Sequence, residues 1–155
     1  MSKDEFAKII DALKEKLDEK LARNYLGGRG LGVKILYDMV RPGIDPLSPD
    51  NVIVFAVGPL TGTRTPSSGR HVIISKSPAT GGIAYTSSGG TWGAELKKAG
   101  YDAIIINGRA KKPMYLWIND ESIKFMDAAK QWGKKISQSD DEIRSQTDRS
   151  AKVLQ

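Results

Sequence analysis

Arg70 closes a glycine-rich stretch, Gly58-Pro59-Leu60-Thr61-Gly62-Thr63-Arg64-Thr65-Pro66-Ser67-Ser68-Gly69-Arg70, and leads into the apolar run His71-Val72-Ile73-Ile74. A guanidinium at the exit of a loop into a strand projects rigidly and can grip a phosphate or carboxylate through two parallel N–H donors. Arg64 is a second cation in the same stretch. Farther along, Ser87, Ser88, Gly89 and Gly90 offer small side chains and backbone amides ahead of a helix expected near Trp92. Amides at a helix start attract anions. These residues point to anion binding rather than to bond breaking by the chain's own side chains.

The composition narrows the chemistry further. There is no cysteine among the 155 residues, which excludes a disulfide framework, a thiolate nucleophile, a zinc ribbon and a cysteine-held iron–sulfur cluster in this chain. With one histidine, a multi-histidine metal site is excluded too. A serine–histidine–acid triad has only His71 to use, and its apolar surroundings read as strand rather than catalytic loop. No glycine-rich run ends in Gly-Lys-Ser or Gly-Lys-Thr, so the phosphate loop of nucleotide hydrolases is absent. Gly28-Arg29-Gly30-Leu31-Gly32 approaches a dinucleotide fingerprint, but it follows a helical pattern and lacks the preceding strand that gives the fingerprint its meaning. Redox or group-transfer chemistry here must be carried by a cofactor. The net charge is +6, yet the basic residues are scattered, without the face or cluster of a nucleic-acid binder. Apolar runs such as Val52-Ile53-Val54-Phe55-Ala56-Val57 are far too short for a membrane span, and Met1-Ser2-Lys3-Asp4-Glu5 does not lead into a signal sequence. The expectation is a cytoplasmic chain with no nucleic-acid or membrane partner.

The elements that must position these residues follow from periodicity. Phe6, Ile9, Ile10, Leu13, Leu17, Leu21 and Tyr25 recur at helical spacing, predicting an amphipathic helix over the first 25 residues with Ser2 and Glu5 as a capping box and Gly27-Gly28 as its stop. Leu31, Val33, Ile35, Leu36 and Met39 predict a second helix. Pro42, Gly43, Pro46 and Pro49 then force a rigid connection. Strands are expected at 52–57, 71–75, 103–107 and 114–118, the last turning at Asn119-Asp120 into 122–126. The stretches 58–70, 77–82 and 86–90 read as long loops of small residues, converging as a binding surface rather than acting as linkers. Ser139 and Glu142 suggest the cap of a C-terminal helix, and residues 151–155 the start of a further strand. Gly27-Gly28 and Gly89-Gly90 both open helical segments and could mark a duplicated unit.

Several motifs, in order, carry a resemblance. They are Asn24-Tyr25-Leu26-Gly27-Gly28-Arg29-Gly30-Leu31-Gly32, Asp45-Pro46-Leu47-Ser48-Pro49-Asp50-Asn51, Gly58-Pro59-Leu60-Thr61-Gly62-Thr63, Ser75-Lys76-Ser77-Pro78-Ala79-Thr80-Gly81, Ser88-Gly89-Gly90, and Gly93-Ala94-Glu95-Leu96-Lys97-Lys98-Ala99-Gly100-Tyr101-Asp102-Ala103. Together they resemble the N-terminal domain of the aldehyde ferredoxin oxidoreductases, tungsten- or molybdenum-dependent enzymes, from about Leu21 to about Leu154. The resemblance implies an α+β platform of short strands with flanking helices, apparently duplicated, whose base cradles a tungsten (or molybdenum) bis-pterin with a magnesium ion bridging the pterin phosphates. It places Arg70 and the backbone of Gly89, with Gly90 beside it, at the cofactor. It places Ser87 at a position usually held by asparagine that helps bind the cofactor and its magnesium, commonly through a backbone carbonyl. The serine weakens a side-chain role there and leaves the backbone role intact.

Family members open with two short strands where this chain has the helical pattern of 1–20. They also continue into two helical domains that carry the cluster cysteines and the groups thought to act on the aldehyde. The chain therefore reads as one incomplete cofactor-platform domain over 1–155, a fragment or split subunit of an enzyme that oxidises an aldehyde to a carboxylic acid and passes electrons to ferredoxin. Alone it is expected to be inactive, and to form an oligomer or join a partner subunit carrying the missing domains. The alternative is a non-catalytic protein that keeps the platform fold for partner binding or assembly.

Overall fold

The computed structural model describes residues 15–155. By its internal contacts the chain divides into two compact units, Met1–Gly108 and Arg109–Gln155.

In the first unit, the β-branched run Val52–Val57 forms β1 at the interior of a four-stranded antiparallel sheet of order β3-β2-β1-β4. Its partners are β2 (His71–Lys76), β3 (Ile83–Ser88) and β4 (Ala103–Asn107). Strand alternation puts Val52, Val54 and Ala56 on one face. There they form a buried core with Ile74 and Leu36, flanked by Val33, Ile35, Val40, Val72, Ala103 and Ile105. Leu36 comes from helix α2 (Gly28–Met39), which follows α1 (Glu19–Tyr25). Gly32 lets α2 settle closely, since a Cβ there would run into the Ile74 side chain. The other face receives α3 (Trp92–Lys98), whose Trp92 ring lies 6.0 Å from Phe55 and 4.8 Å from His71. The proline-rich connection is tied to the sheet. The Asn51 amide donates to the carbonyls of Pro46 (2.7 Å) and Lys76 (3.2 Å), and Lys76 Nζ donates to the Ile44 carbonyl at 2.7 Å.

Two details of the helical reading change. The predicted capping box at Ser2 and Glu5, and the helix over residues 1–14, lie outside the described residues. Residues 15–18 are not helical, and α1 starts after Asp18, whose carboxylate accepts the Leu21 N–H at 2.7 Å. An aspartate at this position satisfies an amide that the helix itself leaves unpaired. At the other end the cap is Leu26, at a positive φ of 62°, followed by Gly27 and Gly28 at 153° and 50°, and Gly28 already belongs to α2.

The second unit is a hairpin and a helix. β5 (Met114–Asn119) and β6 (Ser122–Asp127) pair antiparallel, Asn119 opposite Ser122, with Asp120 at φ 48° in the turn. α4 runs from Ile136 to Gln146, and Ile123 and Ile143 are buried. Ser139 is not its cap. The helix begins three residues earlier, where Gln138 Oε1 accepts the Lys135 N–H, and Ser139 is buried within it, bonded to the Lys135 and Gln131 carbonyls. Residues 151–155 form no strand, and Gln155 donates instead to the Ile136 carbonyl at 3.2 Å. No helix among the described residues is long and apolar enough to cross a membrane.

Candidate functional site at one rim of the sheet

The stretch read as a loop before Gly89 is strand β3. Its six residues pair along β2 from Lys76↔Ile83 to His71↔Ser88, so Ser87 lies on a strand opposite Val72. The strand is largely exposed, and an edge with little to bury shows no apolar alternation to betray it. The glycine loops consequently do not all converge. Residues 77–82 are the turn at the far end of the hairpin, closed by Ser77 N–H to Gly82 O at 2.8 Å. At the near end, residues 58–70 meet Gly90.

Internal bonds hold the 58–70 loop. Buried Thr61 accepts the Gly58 N–H (2.9 Å) and donates to the Arg70 carbonyl (3.3 Å). Gly62 N–H reaches Ser68 O at 3.0 Å, and Ser68 Oγ donates to Thr63 O at 3.0 Å. Two glycines then permit backbone-to-backbone approach. A Cβ on Gly69 would stand 2.7 Å from the Gly90 carbonyl oxygen, and one on Gly93 would stand 3.3 Å from the Gly69 oxygen and 3.2 Å from His71 Cβ. This clasp sets Arg70 beside Gly89 and Gly90. Across the strand pair, Arg70 Nη1 donates to Ser87 Oγ at 3.2 Å. Thus Arg70, Ser87, Gly89 and Gly90 gather at one rim, while Arg64 is exposed elsewhere in the loop. Nothing lies within 4 Å of where a Cβ would stand on Gly89 or Gly90. Gly90 is called for by its positive φ of 90°, whereas neither a positive φ nor a neighbouring atom accounts for Gly89, whose backbone is left bare at the rim. α3 has only seven residues, so its dipole adds little, and Arg70 is the stronger candidate for an anion at this rim.

His71 does not join a triad. It is 1% exposed, and neither ring nitrogen has a partner among the described residues. Burial pushes its pKa below the ordinary value, because the apolar surroundings disfavour the imidazolium. The unfolded chain therefore takes up the proton more readily than the folded one. Stability present above about pH 6.5 should fall as pH drops through that value toward the lower folded-state pKa. Urea unfolding at about pH 7.5 and pH 5.5 should show this loss, and His71→Phe, which keeps a ring against Trp92, should remove it. An acid step that survives His71→Phe places the titration on another group.

One basic residue at this rim escaped the sequence reading. Arg29, in the first turn of α2, holds its guanidinium carbon 4.4 Å from the centre of the Tyr85 ring. The signal lay in Gly28-Arg29-Gly30, set aside above because no strand precedes it. Among the described residues no three histidines, cysteines or acids cluster as a metal site.

An antiparallel sheet flanked by helices, with an arginine and two glycines at one rim, is an α+β fold whose family the sequence identifies. The family model described as aldehyde ferredoxin oxidoreductase, N-terminal domain, matches residues 11–155, and the chain belongs to that family. It is 50% identical over 132 residues to a tungsten-containing aldehyde ferredoxin oxidoreductase of Pyrococcus furiosus, covering 85% of this chain and 22% of the relative. The corresponding enzyme of Pyrococcus horikoshii is 51% identical over 126 residues, covering 81% and 21%. Among solved structures, the active-site complex BamBC of benzoyl coenzyme A reductase, in complex with 1,5-dienoyl-CoA, superposes with a TM-score of 0.85 at 36% identity, covering 88% of this chain and 21% of that one. The chain thus spans about a fifth of the length of these proteins.

Proposed function

We propose that this chain is the cofactor platform of an aldehyde ferredoxin oxidoreductase-like enzyme, binding a tungsten (or molybdenum) bis-pterin and working with the remaining domains of that enzyme, whether C-terminal to it or on a partner subunit. The observation that carries this reading is the Arg70 guanidinium tethered to Ser87 beside the open backbone of Gly89 and Gly90. The donor set fits a phosphate-bearing, flat ligand. Arg70 offers a planar cationic fork, and residues without side chains let ring atoms approach the amides.

In this reading Arg70 binds the pterin moiety or its phosphate, Gly89 and Gly90 contact the pterin through the backbone, and Ser87 contributes to the cofactor and its bridging magnesium through its backbone carbonyl. Its hydroxyl is already engaged by Arg70. When bound, the metal–pterin group supplies the two-electron chemistry of aldehyde oxidation. The chain's own residues bind and orient it. With no cysteine here to hold a cluster, the remaining domains would supply the electron route to ferredoxin, and the whole would work in the cytoplasm.

The test is tungsten and pterin content of the chain co-expressed with the missing domains. A charge-assisted hydrogen bond contributes roughly 1.5–3 kcal/mol, or about ten- to a hundredfold in affinity. Arg70→Lys should therefore lose cofactor and Arg70→Ala should lose more, with Arg64→Ala nearly neutral. Equal content in wild type, Arg70→Lys and Arg70→Ala removes Arg70 from the site. A reconstituted complex free of metal and pterin favours the non-catalytic platform instead.

A further inference from the structure

We propose that Arg29 is a second anion-binding residue on the face that carries Arg70, so that the chain grips a ligand bearing two phosphate-type anions rather than one. The inference rests on the platform reading and extends it to a residue that the motifs did not assign.

The placement follows from register. Ile74 pairs with Tyr85 and Val72 with Ser87, and directly opposed residues of an antiparallel pair share a face. Tyr85 and Ser87 are alternate residues of β3, on one face and about 7 Å apart along the strand. Each holds a guanidinium. Arg29 stacks over the Tyr85 ring at 4.4 Å, and Arg70 donates to the Ser87 hydroxyl at 3.2 Å.

Neither anchor is charged. The ion pairs among the described residues engage Lys34, Lys97, Lys98, Lys134 and Arg144, and none engages Arg29 or Arg70. The first turn of α2 contains no acidic residue that could neutralise Arg29. With no carboxylate paired to either one among the described residues, both cations on this face stay available to an anion.

The anchors also spare the donors. Apart from the ring, no hydrogen bond or ion pair among the described residues engages the Arg29 guanidinium. The Ser87 hydroxyl takes only one of the five N–H donors of Arg70. Both arginines therefore keep an edge suited to the oxygens of a phosphate. One isolated anion satisfies one arginine, and two linked anionic groups satisfy both.

The test is calorimetric titration of the full chain with inorganic phosphate and with pyrophosphate. Wild type should bind pyrophosphate at least about tenfold more tightly than phosphate. Arg29→Gln should erase that preference, weakening pyrophosphate about tenfold or more while leaving phosphate nearly unchanged. Arg70→Gln should weaken both. Tyr85→Phe, which keeps the ring, should behave as wild type, and Tyr85→Ala should move part of the way toward Arg29→Gln. Arg29 and Tyr85 are exposed, so unchanged melting temperatures should show that all variants fold. If Arg29→Gln binds pyrophosphate as wild type does while Arg70→Gln does not, Arg29 is only a surface stack, the inference falls and the platform reading stands. If wild type shows no preference for pyrophosphate at millimolar concentrations, the inference also falls, and the platform reading is judged separately by metal and pterin content.

Discussion

If the platform reading holds, Gly69→Ala should lower tungsten and pterin content more completely than Arg70→Lys does. The new methyl group would be driven to within 2.7 Å of the Gly90 carbonyl oxygen. That neighbour is backbone, so it cannot rotate away like a side chain. The 58–70 loop and the 89–91 segment must separate, and Arg70 moves off the glycine amides it stands beside. Overpacking of this kind costs about 1–3 kcal/mol. A small misplacement of positioned groups further weakens any ligand they hold together. Thermal melting should register the first effect and tungsten and pterin content of the reconstituted complex the second. Trp92 offers a local readout, since Gly93 next to it touches Gly69 and His71. Wild-type melting and wild-type cofactor content in Gly69→Ala are the outcome that defeats the clasp.

The second large effect lies in the core. Ile74 is fully buried between α2 and the sheet, and Ile74→Ala should destabilise the fold by about 2–5 kcal/mol, against about 0.5–1.5 for Ile74→Val. Urea unfolding followed by circular dichroism measures both. The same side chain explains Gly32, whose Cβ position it occupies. Gly32→Ala should be costly in wild type and much less so beside Ile74→Ala, where the added methyl refills vacated space. The double-mutant cycle should therefore be strongly non-additive. Additive costs would mean that α2 and β2 do not share this contact.

Elements that bury apolar residues announce themselves. β1, β2, β4 and the β5–β6 hairpin could be read from runs such as Val52-Ile53-Val54 and Ala103-Ile104-Ile105-Ile106, because burial demands those residue types. β3 could not, since Ile83–Ser88 is an edge strand held by backbone pairing with β2 rather than by a buried face. Caps were misjudged for a related reason. Ser139 looked like a helix start by type, but its buried position inside α4 leaves the start to the residues around Lys135. Arg70, Ser87, Gly89 and Gly90 were candidates from motif resemblance, and the bond joining Arg70 to Ser87 depends on register that spacing does not encode. Arg29 stayed hidden because its meaning comes from a ring 56 positions away in the chain.

The edge position of β3 has a consequence for assembly. Six uncharged residues line a border with no lysine, proline or bulge to discourage a visiting strand, and natural sheets commonly guard such borders with those devices. Here the border also carries Ser87 and leads into Gly89 and Gly90. A ligand can dock from outside without parting any strands, but until the border is covered the same openness invites other polypeptides to pair with it. Crowding during synthesis therefore favours pairing of one copy's border with another's, and a contact that shielded β3 early would oppose it.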